Sequence, residues 1–303
     1  MKQALTVIIV VFLSVLVSCK GSGRKGSGFV FPENDSIPVY EAVKVSQEAI
    51  EDIVQNISSP VEMAALLQAL DVPFIPDHMA TVRDAERLSS NSGKALKLGV
   101  YGADLGYLNI YEKTGSAIEY LTTINKLADE LLVGQFFDFE VLKRLASNKN
   151  NIDSLLFMSV NAYNQIDTYL RDNDRGHLSA LMIAGVWLEA QFLACQVVKD
   201  YEHDDLKNRI GEQKIIINDL LLLLRPYKDI SDEYSNLYND FEALKGEYRN
   251  VNISYTQGEP ETVEIDGKLI VQQVEESIIE MTDNQLQEII NESTRIRNKI
   301  ISQ

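Results

Sequence analysis

One stretch of this chain, His177 to Tyr201, is apolar on nearly every side of a helix. Leu178, Leu181, Met182, Ile183, Val186, Trp187, Leu188, Phe192, Leu193, Val197 and Val198 cover most of its circumference. A surface helix carries one apolar stripe, whereas a helix apolar all round must be wrapped by others. The stretch therefore predicts a central helix and demands several amphipathic partners.

Those partners are legible on both sides of it. Leu98, Tyr101, Leu105 and Leu108 share one face of a helix over Lys94–Tyr111. Gly99, Gly102, Ala103 and Gly106 lie alongside that face. Each interior glycine costs a helix about 1 kcal/mol, so close approach of a neighbouring helix is expected there. Thr114-Gly115 breaks the chain, Ser116–Val133 forms the return helix, and Gly134 ends it. Helices over Asp138–Ser147, Asn151–Arg171, Asp204–Leu224 and Ser231–Tyr248 complete the set, with Arg175-Gly176 as the turn into the central one. Shorter helices are expected over Ser46–Ile57 and from Ser59, where Ser59-Pro60-Val61-Glu62 is a capping box. Residues 71–91 read mostly as loop.

The period then changes. Val263 to Val271 alternates around Asp266-Gly267, a two-residue hairpin signal. Thr282-Asp283-Asn284-Gln285 is a second capping box and opens a final helix with Leu286, Ile289, Ile290, Ile296 and Ile300 inward. The expected fold class is all-α: a multi-helix bundle, or a repeat-like stack of antiparallel helical hairpins, with a small β-hairpin near residues 262–272 before a C-terminal helix. Helix pairs beginning near residues 94, 138 and 177 lie about 40 residues apart, a repeat-like length. No named repeat signature recurs in register.

The N-terminus carries the address. Lys2 precedes an apolar run from Ala4 to Val17, 14 residues long, and a small residue follows. At 1.5 Å per residue the run covers roughly 21 Å, short of a ~30 Å hydrocarbon core. Leu16-Val17-Ser18-Cys19 resembles the lipobox of bacterial lipoprotein precursors. That resemblance implies cleavage before Cys19 and lipidation of its thiol and its new amine, and several acyl chains hold a protein where one would not. Lys20-Gly21-Ser22-Gly23-Arg24-Lys25-Gly26-Ser27-Gly28 then reads as a flexible tether. Lys20 is not Asp, and residues 20–28 hold no acid, so the resemblance implies the outer membrane, facing the periplasm. The expected organisation is a signal peptide over 1–18, lipidated Cys19 and tether over 19–37, a helical domain over 38–249, and the hairpin with the C-terminal helix over 250–303.

Without residues 1–18 the chain has 27 basic and 45 acidic residues, a net charge of −18. An acidic body repels nucleic acid and lipid headgroups, which argues against both as ligands of the body. Cys19 and Cys195 are the two cysteines. With Cys19 lipidated, no disulfide forms within the chain, and Cys195, set in an apolar run, reads as a buried thiol.

Catalytic and metal signatures do not emerge. His78, His177 and His203 have no second ligand at zinc spacing. His203-Asp204-Asp205 fits a helix start. Asp172-Asn173-Asp174-Arg175-Gly176 lacks the distal Glu of a calcium loop and reads as a turn. No phosphate loop, nucleophile elbow or cofactor motif is present. Glu189, inside the apolar helix, requires a partner. Were it to converge with Asn161, Asn164, Gln165 and Tyr101, the five would line a polar pocket for a sugar or peptide.

Ser58-Ser59-Pro60-Val61-Glu62, Gly99-Val100-Tyr101-Gly102-Ala103-Asp104-Leu105 and Ile296-Arg297-Asn298-Lys299-Ile300-Ile301 resemble a group of uncharacterised all-helical lipoproteins of Bacteroidota. The resemblance implies fold and location and no activity. The expected function is a membrane-anchored, non-enzymatic binding or scaffold module for another envelope component, protein or glycan. The alternatives are a solute- or glycan-capturing lipoprotein and a cell-wall or glycan hydrolase.

Overall fold

A computed structural model describes Leu67, residues 70–146, 152–257, 261–265 and 268–272, and residues 275–302. The expected signal peptide, Cys19, the tether and the helices over Ser46–Ile57 and from Ser59 lie outside the described residues, Leu67 excepted.

The fold is an all-α bundle with a small antiparallel β element. The α-helices of the continuously described residues are α1 (Asn91–Ile110), α2 (Thr114–Glu130), α3 (Phe139–Ala146), α4 (Ile152–Asp172), α5 (Gly176–Asp200), α6 (Asp204–Leu224), α7 (Asp232–Glu247) and α8 (Asp283–Ile301). The boundaries follow local chemistry. The Ser90 hydroxyl accepts from the Gly93 amide and starts α1. His203 caps α6, its Nδ1 accepting from the Asp205 amide at 3.2 Å, with Asp204 and Asp205 at the positive end of the dipole. Thr282 and Gln285 form the expected reciprocal capping box of α8.

α5 is central, packing against α1, α4, α6 and α8. By length and hydropathy it could cross a bilayer, but 78% of its most apolar window is buried within the body. Neighbouring helices supply its surroundings, as its all-round apolarity requires. Its closest partner is α1. A Cβ added at Gly99 would meet the Met182 carbonyl oxygen at 2.1 Å, and one at Gly185 would meet that of Leu96 at 2.2 Å. Leu96 and Gly99 thus lie opposite Met182–Val186, and Tyr107 meets Phe192 and Leu193 further along. The two helices consequently run parallel, although three helices separate them in the chain.

Only part of the glycine row serves that contact. Gly102 faces the Tyr163 hydroxyl, and beyond its own helix no heavy atom among the described residues lies within 4 Å of where a Gly106 Cβ would sit. The turns also differ from expectation. The left-handed residues that reverse the chain are Glu112, Leu132 and Asp174, with φ of 54°, 59° and 57°. Gly115 and Gly176 instead fall in the first turns of their helices. Gly134 is needed for space, since a Cβ there would lie 1.9 Å from the Asp129 carboxylate.

Residues 70–90 form a strap with two 3-10 turns, Pro76–His78 and Val82–Arg87. The β element is longer than the expected hairpin. β2 (Glu261–Ile265) pairs with β3 (Lys268–Gln272), leaving the two residues Asp266 and Gly267 between them. β1 (Asn252–Gln257) pairs with β4 (Glu275–Glu280), from Asn252↔Glu280 to Gln257↔Glu275. The ribbon is seated on α6 through Ile279, whose methyl occupies the space left at Gly211, and through Ser277, which donates to Glu212 at 2.5 Å.

Candidate functional site

The most concentrated polar chemistry among the described residues lies where α1, α5, α8 and the strap meet. Glu189 is fully buried, and Arg297 is its principal partner. The guanidinium donates through Nε to both carboxylate oxygens, at 3.3 and 3.1 Å, and through a terminal nitrogen at 2.9 Å. The same nitrogen reaches the His78 carbonyl at 3.2 Å, and the guanidinium carbon lies 4.4 Å from the Phe192 ring centroid. Arginine suits this place because its planar fork meets a carboxylate on one edge while its face stacks on an aromatic ring.

Asp104 is the third member and is also fully buried. Its Oδ2 accepts from the Ala80 amide of the strap at 3.0 Å. No donor reaches its Oδ1 from elsewhere in the described structure. That oxygen is buried near Glu189, itself a carboxylate, and two carboxyl groups can share a hydrogen bond only if one keeps a proton. Burial and the neighbouring Glu189 charge both push the Asp104 carboxyl well above the usual range. Burial also raises Glu189, but Arg297 opposes that rise, so the shared proton belongs on Asp104. Burial, the unpartnered Oδ1 and the neighbouring charge thus point to the same state: Asp104 keeps its proton beside ionised Glu189.

The strap is held to this cluster by side chains. Tyr120 of α2 donates to the Ala80 carbonyl at 2.5 Å, and Tyr101 donates to that of Thr81 at 3.1 Å. Tyr107 accepts from the Ile75 amide at 3.3 Å. Lys97, 3% exposed, donates to the Ile301 carbonyl at 3.0 Å and ties the end of α8 to α1. His78 lies 3.5 Å from Asp200, and burial lowers its pKa.

The sequence-predicted pocket residues divide. Glu189 and Tyr101 are buried, and Tyr101 packs edge-on against Tyr120 with 6.0 Å between ring centroids. Asn161 and Gln165 are exposed and Asn164 is half-buried, and no hydrogen bond among the described residues joins the three to Glu189. Their neighbour Asp167 is buried and serves α4–α5 packing: Arg171 Nε lies 2.9 Å from each of its oxygens, and the Ser179 hydroxyl donates to it. Cys195 is buried and unpaired, and desolvation pushes its thiol up to about 12. No group of three or more His, Cys, Asp or Glu side chains among the described residues is placed to hold a metal ion.

Sequence reasoning missed Asp104 and Arg297 as site residues, although a signal existed. Asp104 recurs at core spacing with Lys97, Tyr101 and Leu108, and Arg297 continues the row Leu286, Ile290, Ser293. A charge at a core position demands a buried counterpart. Chemically, a protonated carboxyl beside an ionised one is an acid–base pair. Both groups here are sealed from solvent, so they can exchange a proton only when a covering element moves. Comparison of the chain with protein-family models, curated proteins and solved structures finds no match.

Proposed function

We propose that this chain is a lipid-anchored protein of the outer membrane, facing the periplasm, whose helical body binds another envelope component, protein or glycan, without chemistry of its own. The observation that carries the proposal is Leu16-Val17-Ser18-Cys19 behind a basic residue and a 14-residue apolar run. Lipidation there serves location, and an acidic body beside a negative membrane stays soluble rather than adsorbed. The internal charges support the same reading: Glu189 is engaged by Arg297, and Asp167 by Arg171, within the packing.

A capture pocket lined by Tyr101, Asn161, Asn164, Gln165 and Glu189 is the weaker reading, since Asn161 and Gln165 face solvent while Tyr101 and Glu189 are buried. The test uses cells producing the full chain and an amine-reactive cross-linker. A discrete envelope adduct is expected that is lost in Cys19→Ala. A Cys19→Ala protein that still fractionates with membranes would overturn the anchoring. A form lacking residues 1–28 that meets nothing in envelope extracts would overturn the binding.

A further inference from the structure

The strap over residues 74–82 is attached in an unusual way. Its contacts with α1, α2 and α8 are made by side chains: Tyr107 to the Ile75 amide, Arg297 to the His78 carbonyl, Asp104 to the Ala80 amide, Tyr120 to the Ala80 carbonyl and Tyr101 to the Thr81 carbonyl. Three of these five anchors (Asp104, Arg297 and Tyr120) lie in or against the buried acid pair. Ala80 is 1% exposed and packs directly over Asp104. Neither carboxyl can meet water while the strap is seated.

We propose that the strap is proton-latched: the proton held between Asp104 and Glu189 keeps it seated on the helical body, and release of that proton to solvent accompanies its lifting. With the proton in place, Asp104 donates to Glu189 through one oxygen and accepts from the Ala80 amide through the other. When the strap lifts, the Asp104 O–H bond breaks, the proton passes to water or buffer base, and the new carboxylate is solvated. Reseating takes a proton back. Every titratable or charged group facing Asp104 belongs to this account. Glu189 of α5 opposes a second negative charge beside it, and Arg297 of α8 is already committed to Glu189 and His78. Lys97 of α1 is directed to the Ile301 carbonyl, Tyr101, Tyr107 and Tyr120 are neutral phenols, and the His78 imidazole turns to Asp200.

The coupling fixes a number. An opening that releases one proton becomes tenfold more favourable per pH unit between the ordinary Asp value, about 4, and the raised value in the seated state. Amide exchange of Ala80 reads this directly in the full chain. Its intrinsic rate rises about tenfold per pH unit, so a proton-coupled opening makes the observed rate rise about a hundredfold per unit from about pH 4–5 up to the raised value in the seated state, and only tenfold per unit above it. Asp104→Asn keeps both hydrogen bonds without a titratable proton, and its Ala80 rate should rise only tenfold per unit. A tenfold slope in the wild type throughout overturns the proposal, as does a hundredfold slope in Asp104→Asn. Should that variant not fold, the wild-type comparison decides alone. Ala80 must exchange faster than the Ile217 amide of α6, and equal rates would mean that only global unfolding exposes the pair.

Discussion

Gly99 and Gly106 lie on one helix, yet substitution should act on them in opposite directions. Alanine at Gly99 drives a methyl into the Met182 carbonyl, so Gly99→Ala should cost about 3 kcal/mol or more in urea unfolding. At Gly106 the space is open, and Gly106→Ala should gain roughly 0.5–1 kcal/mol from helix propensity alone. Equal effects would contradict the parallel α1–α5 crossing. The sequence showed a row of small residues, but which one meets a backbone depends on rotation about the helix axis, and that is set by the partner. The buried charges obey similar logic. Glu189→Gln leaves the Arg297 guanidinium without its counterion and should destabilise the fold by about 3–5 kcal/mol. Asp104→Asn should act differently. The folded state holds a proton that the unfolded chain releases above about pH 4, so this contribution to stability is full below that pH and falls as pH rises toward the raised value. The wild type should therefore lose ground to Asp104→Asn in denaturant unfolding as pH rises from about 4 toward that raised value, by up to ~1.4 kcal/mol per unit. A pH-independent difference would place the proton elsewhere.

At the scale of elements, helices were easy to read and strands only in part. The final helix announced itself through Thr282 and Gln285, and Thr282→Ala should cost about 1 kcal/mol by removing the hydroxyl that accepts from the Gln285 amide. Thermal unfolding checks this, and an unchanged midpoint would mean that the box adds nothing. The distal hairpin was legible because Asp266-Gly267 is a turn signal between alternating residues. β1 and β4 were not, since Asn252–Gln257 and Glu275–Glu280 hold few apolar residues and pair across some twenty intervening positions. Their stability depends on the seat at Gly211, a tertiary contact that no local pattern reveals. The strap was read as loop for the same reason: its hydrogen bonds go to side chains of distant helices.

For the whole molecule, the central place of α5 followed from its apolar circumference, whereas its parallel pairing with α1 did not. Short turns specify antiparallel neighbours, and a contact between helices separated by three others has no sequence signature. Cys195 illustrates what the packing achieves. Buried and held protonated by desolvation, it should resist thiol reagents at pH 8 in the native protein and react at once in denaturant. Fast native labelling would expose a gap in the core around α5. The proposed location of the protein rests instead on residues 1–19 of the sequence, and one measurement addresses it. Intact and peptide mass spectrometry of the full chain purified from membranes should find an N-terminus at Cys19 carrying a diacylglycerol and an amide-linked acyl chain. An N-terminus elsewhere, or an unmodified Cys19 thiol, would contradict the proposed anchoring.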